Sequence, residues 1–284
     1  LGSATFHPPG ASYAARISEG KGSGLRMSFF SLGGSLGWAA GPLIAVAIVG
    51  SMGLEGLWVA MFPGVILALL LWYLLPPRRA DRVPAPPPSP VRVLKRMRGP
   101  LGLLMGISVV GAFAQRVYLT MEPIVVARAG GSEGIGAISL SIYLGAQAFG
   151  TLTGGYLSDR MDRSRLLAGL TLLAFPAHFL AVSLPPGRAP AFLLAAASGF
   201  LGMAMMPGIV VKAQELLPEG AAVSSGIVMG FAWAIGSLGV LITGALGDWI
   251  GPREAAMVSM PALLIGTLLA LHPSLREGPH RTRR

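Results

Sequence analysis

The stretch Ser139–Leu172, SLSIYLGAQAFGTLTGGYLSDRMDRSRLLAGLTL, decides how this chain is read. An apolar run rich in small residues ends at Gly154-Gly155. A charged turn follows, from Asp159 to Arg165, and a second apolar run begins at once. In water two such helices would have no reason to part. In a bilayer they read as two spanning helices joined by a tight basic loop on the cytoplasmic side.

The rest of the chain has the same character. It is 53% hydrophobic and only 12% charged, with a mean hydropathy of +0.66. A soluble domain carries about a quarter charged residues. This much apolar surface cannot all be hidden inside a water-soluble body of 284 residues, so lipid must cover the remainder. There is no cysteine, which excludes disulfides and thiol chemistry. The net charge of +10 raises the question of nucleic acid; the placement of the charges answers it.

Apolar segments fall at roughly 1–15, 27–50, 55–75, 101–121, 135–158, 165–184, 190–210, 222–247 and 253–272, most of them long enough to span. This predicts eight complete spanning helices and one partial one. The chain opens at Leu1 inside an apolar segment, so the reading expects a fragment that lacks an N-terminal part and is inactive alone. With the 77–99 loop cytoplasmic and the helices alternating, 18 of the 22 Lys and Arg residues fall inside. Only Arg128, Arg188 and Arg253 fall outside, and Arg116 lies within a span. That bias orients a multi-pass protein of the cell (inner or plasma) membrane with its linker and C-terminus in the cytoplasm. The basic surplus is therefore an orientation device that also attracts anionic lipid headgroups, not a nucleic-acid footprint.

Residues 77–99 form the one real linker. The Pro cluster at 84–90 favours extended geometry. It divides the remnant of an N-terminal bundle, 1–76, from a C-terminal six-helix bundle, 100–284. The halves repeat. Ser23–Phe29 resembles Ser225–Phe231, and Gly34-Ser35-Leu36-Gly37 recurs as Gly236-Ser237-Leu238-Gly239. Pro63 and Pro261 fall midway in the next helices.

Several polar residues stand at helical spacing inside these runs. At about 100° per residue, Ser108, Gln115 and Glu122 lie within about 40° of one another, with Tyr118 nearby. Such a stripe is expected to face an aqueous cavity. Arg116 points elsewhere; it either snorkels outward or faces the cavity. Glu122 precedes Pro123, and its alternative is a place at the outer rim. Ser139, Tyr143, Gln147 and Thr151 recur every four residues and read as the facing wall of the same cavity, or as helix-to-helix bonding. His178, Asp248 and Glu254 are expected at the interface. Met203, Met205 and Met206 read as packing. Gly33, Gly37, Gly41 and Pro42 give one helix a smooth groove for a neighbour, with a bend at the proline. No phosphate-binding loop or HExxH occurs, and no metal, cofactor or catalytic residue is expected.

The spelling Gly155-x-Leu157-x-Asp159-Arg160-x-x-Arg163-x-Arg165 resembles the loop signature of the major facilitator superfamily of transporters. The resemblance implies an all-α fold of two pseudo-symmetric bundles, here with the first incomplete: family helices 1–3 would be missing. It implies that this loop is a cytoplasmic latch between neighbouring helices, breaking as the transporter turns inward. The family usually has Gly where this chain has Asp162. The Gly33–Pro42 segment resembles the fifth-helix signature of drug–proton antiporters, although Ala45 and Val46 stand where two glycines are expected. Phe6-His7-Pro8, with the Gly33–Pro42 helix and Ser224-Ser225-Gly226, looks like the fosmidomycin-resistance branch. His7, at bilayer depth, is a candidate proton carrier, or else a neutral side chain bonded to a carbonyl freed by Pro8 or Pro9. The function so implied is proton-coupled efflux of a small drug-like or anionic compound by two rocking bundles. Glu122 and His7 would bind protons and Arg116 the anionic group. The full-length protein is expected to be a monomer. A proton symporter importing a sugar or organic acid is the first alternative. A membrane enzyme or non-transporting membrane protein is the second.

Overall fold

A computed structural model describes residues 23–74 and 89–276. Every described element is helical. Lipid offers no partner for backbone N–H and C=O groups, so each apolar run must satisfy them within itself. Eight stretches among the described residues are long and apolar enough to span: Leu32–Met52, Leu54–Leu74, Pro100–Arg128, Glu133–Ser158, Arg163–Ser183, Ala189–Leu216, Ala222–Ile250 and Pro252–Ala270. These are the eight complete helices expected from the apolar pattern. The partial first segment, with His7, lies outside the described residues.

In chain order, α1 is Ser23–Met52. A short 3₁₀ turn, Leu54–Ala60, leads into α2, Met61–Leu74. Helix α3 is Pro90–Met97, and after a two-residue turn α4 runs Pro100–Arg128. Then come α5 (Glu133–Ser158), α6 (Arg163–Ser183) and α7 (Ala189–Leu216). Helix α8 (Ala221–Ser225) passes through a π-helical segment, Gly226–Phe231, into α9 (Ala232–Ile250). The last span is α10 (Pro252–Ser259) and α11 (Ala262–Ala270), broken at Pro261.

The linker reading needs one correction. Residues 89–97 are not an extended strap. Ser89 caps α3 by accepting from the Arg92 N–H, and Pro90 occupies the first turn, where its missing N–H costs nothing.

Helices α4 to α11 pack around two stacked apolar cores. One holds Leu101, Leu104, Leu166, Leu167, Ile209, Ala213, Val228 and Leu275. The other holds Val117, Tyr118, Tyr143, Ala181, Val182, Ala195, Met260 and Leu263. The starts of α4 and α6 thus share one end of the bundle with the finish of α7, so successive spans alternate in direction. Arg92, Lys95, Arg96, Arg98, Arg160, Arg163, Arg165, Lys212 and Arg276 fall at that end. Arg128, Arg188 and Arg253 fall at the other. The outer faces are apolar: Phe149 is 66% exposed, Leu241 70% and Trp249 88%. In water this would aggregate; in a bilayer it is the lipid face.

Helices α5 and α7 approach most closely, through glycine. A Cβ at Gly150 would overlap the Phe200 carbonyl, and one at Gly154 the Ala204 carbonyl. From the opposite side, a Cβ at Gly199 would overlap the Tyr143 carbonyl. Backbone touches backbone, as small residues permit in membranes.

The Gly33-Gly37-Gly41 face behaves otherwise. No described atom lies within 4 Å of a Cβ placed at any of the three. Helix α1 meets α5 through Ala39, whose Cβ would stand 3.8 Å from one at Gly145. The expected packing role of Gly33, Gly37 and Gly41 therefore has no partner among the described residues. The internal repeat explains why. Gly236 and Gly239, the counterparts of Gly34 and Gly37, press on Val109 and Phe113 of α4. No described residue fills the equivalent place beside α1. The repeat itself holds in position: Pro63 and Pro261 are each the tenth residue of their spans.

Candidate functional site

Between α4, α7 and the start of α9 the packing leaves a small crevice, with room for about one water molecule. Ser108, Gly111, Ala112 and Gln115 come from α4, and Trp233 from α9. Gly202, Met203, Met205 and Met206 come from α7, so the methionines expected only to pack also line this space. Gln115 is 6% exposed, and its Nε2 has no hydrogen-bond partner among the described residues. A buried donor left unpaired costs about 1–3 kcal/mol, which an acceptor entering the crevice would recover. Arg116 is half-buried, with its guanidinium carbon 5.9 Å from the centre of the Trp233 ring. Its Nε also lacks a partner among the described residues. It therefore lies against the tryptophan rather than reaching clear of the bundle, within range of a cation–π attraction. Ser108 donates to the Val228 carbonyl in the π-helical segment. A π turn breaks the regular ladder and leaves such a carbonyl for a neighbour to satisfy.

Above the crevice, three helices share two buried hydrogen-bonded groups joined by a stack of two tyrosine rings. The Ser139 hydroxyl donates to Glu122 Oε1 at 2.9 Å. Having spent its proton there, it accepts from the Tyr118 hydroxyl, also at 2.9 Å. The Tyr118 and Tyr143 rings stack at 4.5 Å between centres and 18° between planes. The Tyr143 hydroxyl lies 3.1 Å from His178 Nε2, and His178 Nδ1 lies 2.8 Å from the Ala174 carbonyl. A carbonyl only accepts, so Nδ1 carries the hydrogen. In the neutral ring Nε2 then accepts from Tyr143. Glu122 is 3% exposed, Ser139 2%, Tyr118 1%, Tyr143 0% and His178 1%. Glu122 makes no ion pair among the described residues.

Several expectations change here. Glu122 lies toward the outer end of α4 but is buried. The α4 stripe divides: Ser108 and Gln115 turn to the crevice, while Tyr118 and Glu122 turn to α5. The α5 stripe is not the crevice's facing wall. Ser139 and Tyr143 are buried against α4 and α6, Gln147 is 3% exposed, and Thr151 bonds the Gln147 carbonyl of its own helix. His178 is not interfacial but buried in the second of the two hydrogen-bonded groups. Asp248 and Glu254 are exposed near the outer ends, as expected. Sequence reading missed Trp233 and the role of His178. The signal for His178 was the seam Ala174, Ala177, Ala181, whose small side chains let a neighbour come close.

The charged turn is held locally. Gly155 has Pro207 of α7 as its neighbour, 3.9 Å from a notional Cβ. Asp159 stands exposed at the end of α5. The Arg160 guanidinium lies 3.6 Å over the Tyr156 ring. Asp162 is the N-cap of α6, accepting from the Arg165 N–H at 2.9 Å, which explains a carboxylate where glycine was expected. Arg163 bonds both carboxylate oxygens of Glu215, at 2.9 and 3.0 Å. Arg165 points into solvent. This ion pair joins the start of α6 to the end of α7.

Alternating apolar spans, a lipid-facing exterior and buried polar groups define a polytopic membrane protein. Residues 1–237 match the Major Facilitator Superfamily. The chain belongs to that superfamily of secondary transporters, which move solutes and are not enzymes. It is 29% identical over 287 residues to the fosmidomycin resistance protein of Escherichia coli K12, covering 97% of this chain and 69% of that protein. It is 29% identical over 299 residues to the uncharacterised MFS-type transporter YfnC of Bacillus subtilis 168, covering 98% and 70%. Among solved structures it resembles a bacterial homologue of the human lysosomal transporter Spinster in an inward-facing, unoccupied conformation. There the TM-score is 0.69 at 18% identity, over 91% of this chain and 73% of that one. It also resembles the transporter FucP in the outward conformation, with TM-score 0.58 at 17% identity over 92% and 71%.

Proposed function

We propose that this protein is a proton-coupled exporter of a small anionic or amphipathic compound. The observation that carries the reading is Glu122: a carboxyl group 3% exposed, held by one hydroxyl, about two turns along α4 from Gln115 and its unpaired donor in the crevice. A carboxyl so placed is costly to leave charged, and such groups mark proton paths in membrane proteins. Proton binding there alters which arrangement of the helices is favoured, because the two states solvate Glu122 differently. Gln115 and Arg116 offer N–H donors to an acceptor-rich substrate, and Trp233 and the methionines take its apolar part. Alternating access then turns the proton gradient into substrate movement. The name of the Escherichia coli relative supports export and suggests fosmidomycin as the first compound to try. The basic end of the bundle supports a cytoplasmic linker and C-terminus in the inner membrane.

The test uses inverted membrane vesicles from cells expressing the native gene, energised to an acid interior. Adding fosmidomycin should release protons from the lumen, seen as recovery of a pH-dye signal. Glu122→Gln should abolish that recovery. Acidification on adding the compound would indicate import instead. Recovery unchanged by Glu122→Gln would remove Glu122 from the proton path.

A further inference from the structure

Helix α3 takes no part in the crevice or the buried hydrogen-bonded groups, yet its residues are sorted around the axis with unusual consistency. At about 100° per residue its side chains fall in three sectors. Val93 and Met97 share one, and they pack half-buried against the apolar core at the basic end of the bundle. Roughly a quarter-turn further round come Leu94 and Val91, 59% and 64% exposed. The remaining arc carries Lys95, Arg92 and Arg96, all exposed. No acidic residue occurs between Ser89 and Gly99.

Position gives this sorting its meaning. The two-residue turn Arg98-Gly99 joins α3 to α4, whose Leu101 and Leu104 are already buried in the core. A Cβ at Gly102 would overlap the Met97 carbonyl, so the last turn of α3 is pinned on the first turn of α4. The helix cannot swing away; it lies where a spanning helix enters the bilayer. With Val93 and Met97 against the bundle, the next sector faces along the flank of the protein. There Leu94 and Val91 meet the acyl boundary, and the following basic sector stands at headgroup height. Bundle, acyl chain and phosphate follow one another around a single short helix, the pattern of an interfacial anchor.

We propose that α3 is a binding surface for anionic phospholipid in the leaflet at the basic end of the bundle. Lys95 and Arg96 take the headgroup phosphates while Leu94 and Val91 sink to the acyl boundary. The charge excess of this surface selects anionic over zwitterionic lipid, and its exposed apolar pair selects a lipid over a free anion. The helix leads directly into α4, which carries Ser108, Gln115 and Glu122, so lipid composition acts on the span that builds the site.

None of these 284 residues is a cysteine, so a single introduced thiol is the one label site they offer. Leu94→Cys, in the protein expressed from its native gene, is labelled with an environment-sensitive fluorophore. The protein is placed in nanodiscs of phosphatidylcholine with increasing phosphatidylglycerol. The label should shift to shorter wavelength and be quenched by brominated acyl chains as phosphatidylglycerol rises. Each of Lys95→Gln and Arg96→Gln should raise the midpoint phosphatidylglycerol content about fivefold. Arg188→Gln, at the opposite end, should leave it unchanged. Inorganic phosphate added to pure phosphatidylcholine discs should not reproduce the shift; if it does, the site is an anion site and the lipid proposal fails. A label equally buried in phosphatidylcholine and phosphatidylglycerol, or shielded in detergent without lipid, would also overturn it. The latter would mean that protein covers the surface.

Discussion

At the scale of single residues, the account turns on hydrogen bonds made where water is scarce. Ser139 is the donor to Glu122 and the acceptor for Tyr118, so it has no spare capacity. Ser139→Ala should cost about 1–3 kcal/mol of stability in detergent melts, because two buried partners lose their bond. Glu122→Gln keeps an acceptor for Ser139 and should melt close to the parent. Tyr143→Phe removes the donor to His178 Nε2 and should cost a similar 1–3 kcal/mol. His178→Ala combined with Tyr143→Phe should cost less than the sum of the two, since both break one interaction. Parity of Tyr143→Phe with the parent would show that this bond adds nothing. The polar stripes were legible in the sequence because helical spacing puts Glu122, Tyr118 and Gln115 on related faces. Their partners were not. Which neighbour a stripe meets depends on helix order and tilt, which periodicity does not encode. That is why His178 was assigned to the interface and Thr151 to a cavity wall.

At the scale of elements, glycine spacing alone does not distinguish a packed face from a bare one. The α5–α7 contact predicts that Gly150→Ala or Gly154→Ala is destabilising by about 3 kcal/mol or more, since a methyl group meets backbone that cannot step aside. Gly37→Ala meets nothing among the described residues and, in these 284 residues alone, should be tolerated or slightly stabilising, because alanine favours the helix by about 1 kcal/mol. Thermal melts of the three variants side by side check this; equal losses would contradict the packing. Asp162→Ala should cost about 1 kcal/mol through loss of the α6 cap, recovered by Asp162→Asn. Spans were the most legible feature, since length and hydropathy are fixed by bilayer thickness. Helix α3 was hidden because the proline run before it dominates the local composition, and eight residues are too few for a strong periodic signal.

At the scale of the whole molecule, alternating spans place the basic turns at one end and Arg128, Arg188 and Arg253 at the other. Single cysteines at Arg165 and Arg276 should react with an impermeant maleimide only in inverted vesicles, and one at Arg188 only in right-side-out cells. The internal repeat was legible because corresponding helices kept their glycines and prolines in step. The geometry of the crevice was not, since it needs α4, α7 and α9 together. The central claim is that substrate and proton compete through the buried carboxyl of α4. It is tested most directly by adding the substrate identified in vesicles to purified protein in weakly buffered solution and recording proton release. The account predicts release from the parent and none from Glu122→Gln. Equal release from both proteins would contradict it.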